Sequence, residues 1–227
     1  MGQQASNPCC GRDRMDRESP SMPLRRITAL QDSRVHFIND APMMCLLRER
    51  LCESREGSYV VRDINGISLF QVDGILTSTR RLCLPNNGGC HATIERGAVE
   101  DEWHIYVGDE RRVTILKRIV SNQPVFLVHN LPDPFPLRGS ASTLPLPTLS
   151  VRGNFGLLDF WMFDCSDPNT RKVAHASRGT PPGTALQADK GTYTLEVAGG
   201  LDVALVICVS LVIDDAYSQG KGFGGDV

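Results

Sequence analysis

The sequence predicts a mainly β domain packed around one apolar C-terminal segment. Two observations carry this. The first is a series of short strand-like runs, rich in β-branched and aromatic residues and separated by turn residues, which indicates an antiparallel sheet, sandwich or barrel. The second is Leu201–Asp215, LDVALVICVSLVIDD, where no charge lies between Asp202 and Asp214 and Ser210 is the only polar side chain. As a helix this segment is apolar on every side, which fits either a core helix or a membrane span. A span needs about 20 apolar residues, so a run of this length favours a core helix. With 227 residues and 41% hydrophobic content, the chain can bury one good-sized domain.

In chain order, the N-terminus is polar and rich in Pro, Ser and Arg up to about Arg34, the composition of a disordered tail. It opens MGQQASNPCC. Gly2 follows the initiator Met, Ser6 stands where the myristoylation pattern M-G-x-x-x-[ST] wants it, and Cys9 and Cys10 are acceptors for palmitate. One myristoyl chain binds membranes only marginally, so a second acyl group is the chemistry that would make anchoring stable. Arg12, Arg14, Arg17, Arg25 and Arg26 add attraction to anionic lipid, which Asp13, Asp16 and Glu18 partly offset. An unmodified polar tail is the alternative reading.

Met43–Glu53 has helical propensity, being dominated by Leu, Met, Arg and Glu. From there the chain reads as β. Tyr59–Asp63 and Ile67–Asp73 flank Asn65-Gly66, a hairpin turn signal; Thr77–Leu84 and Cys90–Arg96 flank Asn86-Asn87-Gly88-Gly89. Trp103–Val107, Val113–Val120 and Pro124–His129 continue the series. Between residues 130 and 147 five prolines exclude a central strand, and a long surface loop is expected. Leu149–Phe155, Leu157–Phe163, Lys172–Arg178 and Thr192–Val197 follow as strands, with a turn at Ser166–Asn169. Gly199-Gly200 breaks the chain before the apolar segment, and residues 219–227 form a flexible glycine-rich tail. Gly220-Lys221-Gly222 is no phosphate loop, because it follows the last element and no helix N-terminus comes after it.

The order of these pieces resembles the LURP-one-related family, whose domain is similar to the C-terminal domain of Tubby proteins and to phospholipid scramblases. The resemblance runs from about Met43 to Tyr217. It rests on MCLLRERLCE, the hairpin YVVRDINGISLFQVDG, the second hairpin RRLCLPNNGGCHATIERG, Trp103 in DEWHIYVG, VTILKR, the glycine-bearing VRGNF and the ending YTLEVAGGLDVALVICVSLVIDDAY. The ending is the most specific part. The resemblance implies a closed antiparallel β-barrel of about twelve strands, spanning residues 35–218, that encloses a hydrophobic C-terminal α-helix. It turns Met43–Glu53 from helix to strand, and it makes a helix of a segment whose β-branched residues alone would read as strand. Val203, Val206, Ile207, Val209 and Val212 become core positions of that helix.

Few residues invite a chemical role. Asp202 stands where the helix should start and reads as its N-terminal cap. Asp214 and Asp215 would be unfavourable at a buried helix C-terminus and are expected to mark its exit into solvent. Tubby domains bind phosphoinositides through basic side chains. The resemblance therefore makes the pairs Arg80-Arg81, Arg111-Arg112 and Lys117-Arg118 candidate contacts for anionic headgroups. Solvated surface charge is the plainer reading of the same pairs. Cys83, Cys90 and His91 could approach one another across the second hairpin, but a zinc site needs a fourth ligand, and free thiols are expected. Scramblases carry an acidic calcium segment before the last helix. Asp189-Lys190-Gly191 lacks that density of oxygen ligands, so calcium dependence is not carried over.

The eight cysteines form no C-x-x-C pair and no secretory h-region precedes them, which predicts a reducing intracellular compartment. A net charge of −2 gives no global basic field for nucleic acid. No nucleophile, base and orienting group are visible as a set, so no enzymatic activity, metal or cofactor is expected. The function expected is a lipid-anchored monomeric module on the cytoplasmic face of a membrane, most simply the plasma membrane, binding phospholipid headgroups or an unidentified protein partner. Two alternatives are a scramblase-like phospholipid transporter with its last helix in the bilayer, and a membrane-tethered transcription modulator of the Tubby kind.

Overall fold

The computed structural model describes residues 20, 30, 40–48, 58–74, 79–86, 88–131, 144–179 and 192–218. Most of the polar N-terminal tail, most of the proline-rich loop, and residues 180–191 and 219–227 lie outside these. Twelve strands run in chain order: β1 Met43–Arg48, β2 Ser58–Asp63, β3 Ser68–Asp73, β4 Thr79–Cys83, β5 Cys90–Arg96, β6 Glu102–Val107, β7 Glu110–Val120, β8 Gln123–Asn130, β9 Leu149–Asn154, β10 Asp159–Asp164, β11 Lys172–Arg178 and β12 Thr192–Val197. One helix, α1, spans Val203–Ser218. Every strand pairs antiparallel with its neighbours in sequence, and β1 pairs with both β2 and β12, so the sheet closes on itself. Closure removes the exposed edges that an open sheet would present.

Strand alternation decides what faces the lumen. In β2, Tyr59 and Val61 are buried while Val60 and Arg62 are exposed; in β6, Trp103 and Ile105 are buried between less buried neighbours. β1 follows the same rule, with Cys45 and Leu47 buried, and it pairs with β12 along all six of its residues. The helical propensity of Leu, Met and Arg there loses to the sheet that surrounds it. At the first predicted hairpin the turn is present, but of the pair Asn65-Gly66 only Gly66 takes a positive φ, +83°. Asp63 sets that turn. Its Oδ1 accepts from the backbone N–H of Asn65 and of Ile67, and its carbonyl accepts from Gly66. Gly153, at φ +149°, lies where a Cβ would fall 2.5 Å from the carbonyl oxygen of Asp159. The absence of a side chain there lets β9 approach the start of β10.

The helix fills the barrel. Val203, Val206, Ile207, Val209 and Val212 are all at most 3% exposed, and the buried inward residues of all twelve strands join them in one core. Ser210 is satisfied locally, its hydroxyl donating to the Val206 carbonyl at 2.9 Å. The run therefore needs no polar side, which explains an apolar surface all round a helix enclosed by a barrel. Among the described residues no helix is long and apolar enough to cross a membrane.

Both ends of α1 are tied to other elements. At its start Asp202, 2% exposed, caps the helix as expected: Oδ1 accepts from the Leu205 N–H at 3.2 Å. Its Oδ2 accepts from the backbone N–H of Leu30 at 2.9 Å. Leu30, placed in the tail by its composition, is 1% exposed and joins the core. The chain packs tightly at this end: a Cβ on Gly199 would sit 2.2 Å from the carbonyl oxygen of Asp40. At the other end the expectation is corrected. Asp214 is 4% exposed and the helix runs on to Ser218, so the acidic pair does not mark an exit into solvent.

Candidate functional site

Adjacent residues on a strand point to opposite faces, so a basic pair on a strand cannot present both charges to one surface. This splits two of the three predicted pairs; Arg111 and Arg112 are both half-buried, at a register shift in the pairing of β6 with β7. On β4, Leu82 faces the core and Arg80 shares its side, while Arg81 is exposed. On β7, Lys117 is half-buried and Arg118 exposed.

Arg80 is therefore not available as a lipid contact. It is 4% exposed, and its Nη2 lies 3.6 Å from Oδ1 of Asp215. A cation beside the last turn of α1 offsets both the acidic side chain and the negative end of the helix dipole. The contact offsets the charge of Asp215, whose side chain is 17% exposed, at the end of α1.

Lys117 is held in the same region. Its Nζ is 3.3 Å from Asp101 Oδ1 and 5.6 Å from the centroid of the Tyr217 ring. Tyr217 in turn packs on Phe155 and Phe126, and burial together with Asp101 pushes its phenol pKa up. Arg112 pairs with Glu110, and Arg111 is half-buried beside it. Of the six candidates, Arg81 and Arg118 are the two exposed ones. Gly2, Cys9, Cys10 and Asp189–Gly191 lie outside the described residues.

A further cluster, on β10 and β11, was not singled out from the sequence. Trp161 on β10 stacks on His175 of β11, with centroids 3.9 Å apart and planes 9° from parallel. The Lys172 ammonium stands 4.7 Å from the Trp161 ring, and His175 Nε2 donates to Asp159 Oδ1 at 3.1 Å. Strand pairing places Trp161 directly opposite His175, but that register is not legible in separate strand runs. Arg152 adds a similar contact with the Phe163 ring on the same sheet.

The described histidines all serve local roles. His91 is buried against Phe70, His129 Nδ1 donates to the Pro145 carbonyl at 2.7 Å, and His175 belongs to the stack above. His104 lies beside Glu102 and within 3.4 Å of the Thr114 hydroxyl, and burial holds its pKa below 6.5 despite the nearby carboxylates. The second hairpin brings Cys83 and Cys90 opposite each other, but His91 turns into the core, so the three do not converge. Among the described residues no group of three or more His, Cys, Asp or Glu is placed to hold a metal ion.

Comparison with known proteins agrees with this architecture. The sequence model described as LURP-one-related matches residues 43–214, most of the chain. A solved X-ray structure of a protein from Arabidopsis thaliana is similar at a TM-score of 0.55 and 17% identity, covering 79% of this chain and 94% of that one. At that identity the likeness bears on the fold alone. No curated protein sequence matches the chain.

Proposed function

The chain belongs to the LURP-one-related family, and from that premise we propose that it is a non-enzymatic membrane-associated module, anchored by N-terminal acylation and binding anionic phospholipid headgroups through its outer wall. The observation that carries the reading is the pattern Met1-Gly2 with Ser6, followed at once by Cys9-Cys10 and a run of arginines. Two acyl groups would supply the durable attachment that one cannot. The barrel supports the division of labour, because α1 occupies its interior with aliphatic side chains and leaves the exterior to meet a ligand. Arg81 and Arg118, the exposed members of the predicted basic pairs, are where headgroup contact would start.

A transporter with α1 in the bilayer is less favoured, since that helix would first have to leave a barrel in which it is almost wholly buried. Metabolic labelling with a myristate analogue tests the anchor. Label on the wild type and none on Gly2→Ala is expected; equal label on both, or none on either, removes the proposal's basis. Fractionation of Cys9→Ser/Cys10→Ser tests the second acyl group, and a variant as membrane-bound as wild type would exclude it.

A further inference from the structure

The β4–β5 hairpin contains a β-bulge. Leu82 pairs with Ala92, but the next residue, Cys83, pairs with Cys90, so His91 is the extra residue on β5. Without the bulge Cys83 would face His91. With it, His91 goes to the core against Phe70, and Cys90 is turned to stand across from Cys83. Directly opposed residues of an antiparallel pair have Cα atoms about 4.5–5.5 Å apart, within the range of about 4.4–6.8 Å that a disulfide spans. Cys90 is exposed and Cys83 half-buried, and both are reduced.

We propose that Cys83 and Cys90 are a reversible oxidation site, closing to a cross-strand disulfide by exchange with a small disulfide of the glutathione class. The Cys90 thiolate attacks one sulfur of the small disulfide, forming a mixed disulfide and releasing one small thiol. The Cys83 thiolate then attacks the Cys90 sulfur and expels the second. Two protein thiols are oxidised to one disulfide, one small disulfide is reduced to two thiols, and the protons from Cys83 and Cys90 end on the departing thiols.

The order of attack follows from the surroundings. Cys90 is the solvent-exposed member. Burial, Cys90 and the Asp73 carboxylate, which accepts from the Cys83 thiol at 3.6 Å, push the Cys83 pKa up to about 12. Cys83, the less accessible member, is thus the resolving thiol. The other described cysteines are set apart from this chemistry. Cys45 and Cys208 are buried, with thiol pKa values raised by burial, and Cys165 lies in the turn just past the end of β10, outside the strand pairing.

The test uses the folded full-length chain incubated with oxidised glutathione, then a first alkylating agent, reduction, and a second. Cleavage after Arg81 and Arg96 releases Leu82–Arg96, which contains both thiols. The expected result is this peptide carrying the second label at both cysteines, with Cys45 and Cys208 keeping their thiols, and Cys83 in Cys90→Ser remaining a free thiol. Glutathione persisting on Cys90 beside a free Cys83 would overturn the proposal. So would both thiols staying free, or oxidation of Cys83 in Cys90→Ser to the wild-type extent.

Discussion

Asp202 and Leu30 stand 172 positions apart in the chain and meet at the start of the central helix, where the Leu30 N–H donates to Asp202 Oδ2 at 2.9 Å. The other carboxylate oxygen caps Leu205, so one side chain fixes both the helix start and a segment N-terminal to the barrel. Asp202→Ala should remove the cap and leave buried N–H groups without acceptors, lowering stability by about 2–4 kcal/mol. Leu30→Ala should cost about 2 kcal/mol or more, as for other core leucines. Urea unfolding measures both. A Leu30→Ala curve that overlays wild type would mean that this residue is free tail.

Val206 is fully buried at the middle of the barrel. Val206→Asp should prevent folding, because a charge there would have no partner and no water. Val206→Ala, by contrast, should fold with reduced stability. Circular dichroism and a thermal melt distinguish them. A folded Val206→Asp protein would contradict the placement of α1.

Arg80 and Asp215 should behave as a coupled pair. Arg80→Met removes the cation beside Asp215 and the helix end, and a loss of about 2–3 kcal/mol is expected, toward the low end for a buried pair because Asp215 is partly exposed. In Arg80→Met/Asp215→Leu much of that loss should be recovered. A double-mutant cycle reads the coupling, and additive losses would show that the two do not interact.

His104 supplies a pH dependence of known sign. Burial holds its folded pKa below the unfolded value of 6.5, so the unfolded chain takes up the proton first as pH falls. Its contribution is intact above about pH 6.5 and is lost as pH falls from there through the folded pKa. His104→Gln should flatten this part of the profile. Identical slopes for the two proteins between about pH 7.5 and 5 would refute the assignment.

Much of the barrel can be read from the chain because a two-sided strand writes its period into the sequence, as in Tyr59–Asp63 and Trp103–Val107. β1 escapes that reading. Its residues are good helix formers, and pairing with β12 and β2 makes them a strand. The same context reverses α1, whose valines and isoleucines favour strands but whose surroundings in a closed barrel are apolar in every direction. The site is less legible. Counting by twos from Leu82 places Arg80 on the inner face, a signal present in the sequence but outweighed by the look of a basic pair. The partner that makes an inward arginine tolerable, Asp215, is 135 positions away, and nothing local announces it. Leu30 likewise, close behind Ile27 and Ala29, carries no local sign of burial, and the Asp202 carboxylate that accepts from its N–H lies 172 positions away.

The central functional claim is tested most directly by liposome flotation of the full-length chain, produced with an N-myristoyltransferase and a protein palmitoyltransferase, on vesicles with and without anionic lipid. The account predicts that wild type floats, more strongly with anionic lipid, that Arg81→Glu/Arg118→Glu loses that preference, and that Gly2→Ala stays in the soluble fraction. Gly2→Ala floating as well as wild type, or wild type failing to float on either vesicle, would contradict it.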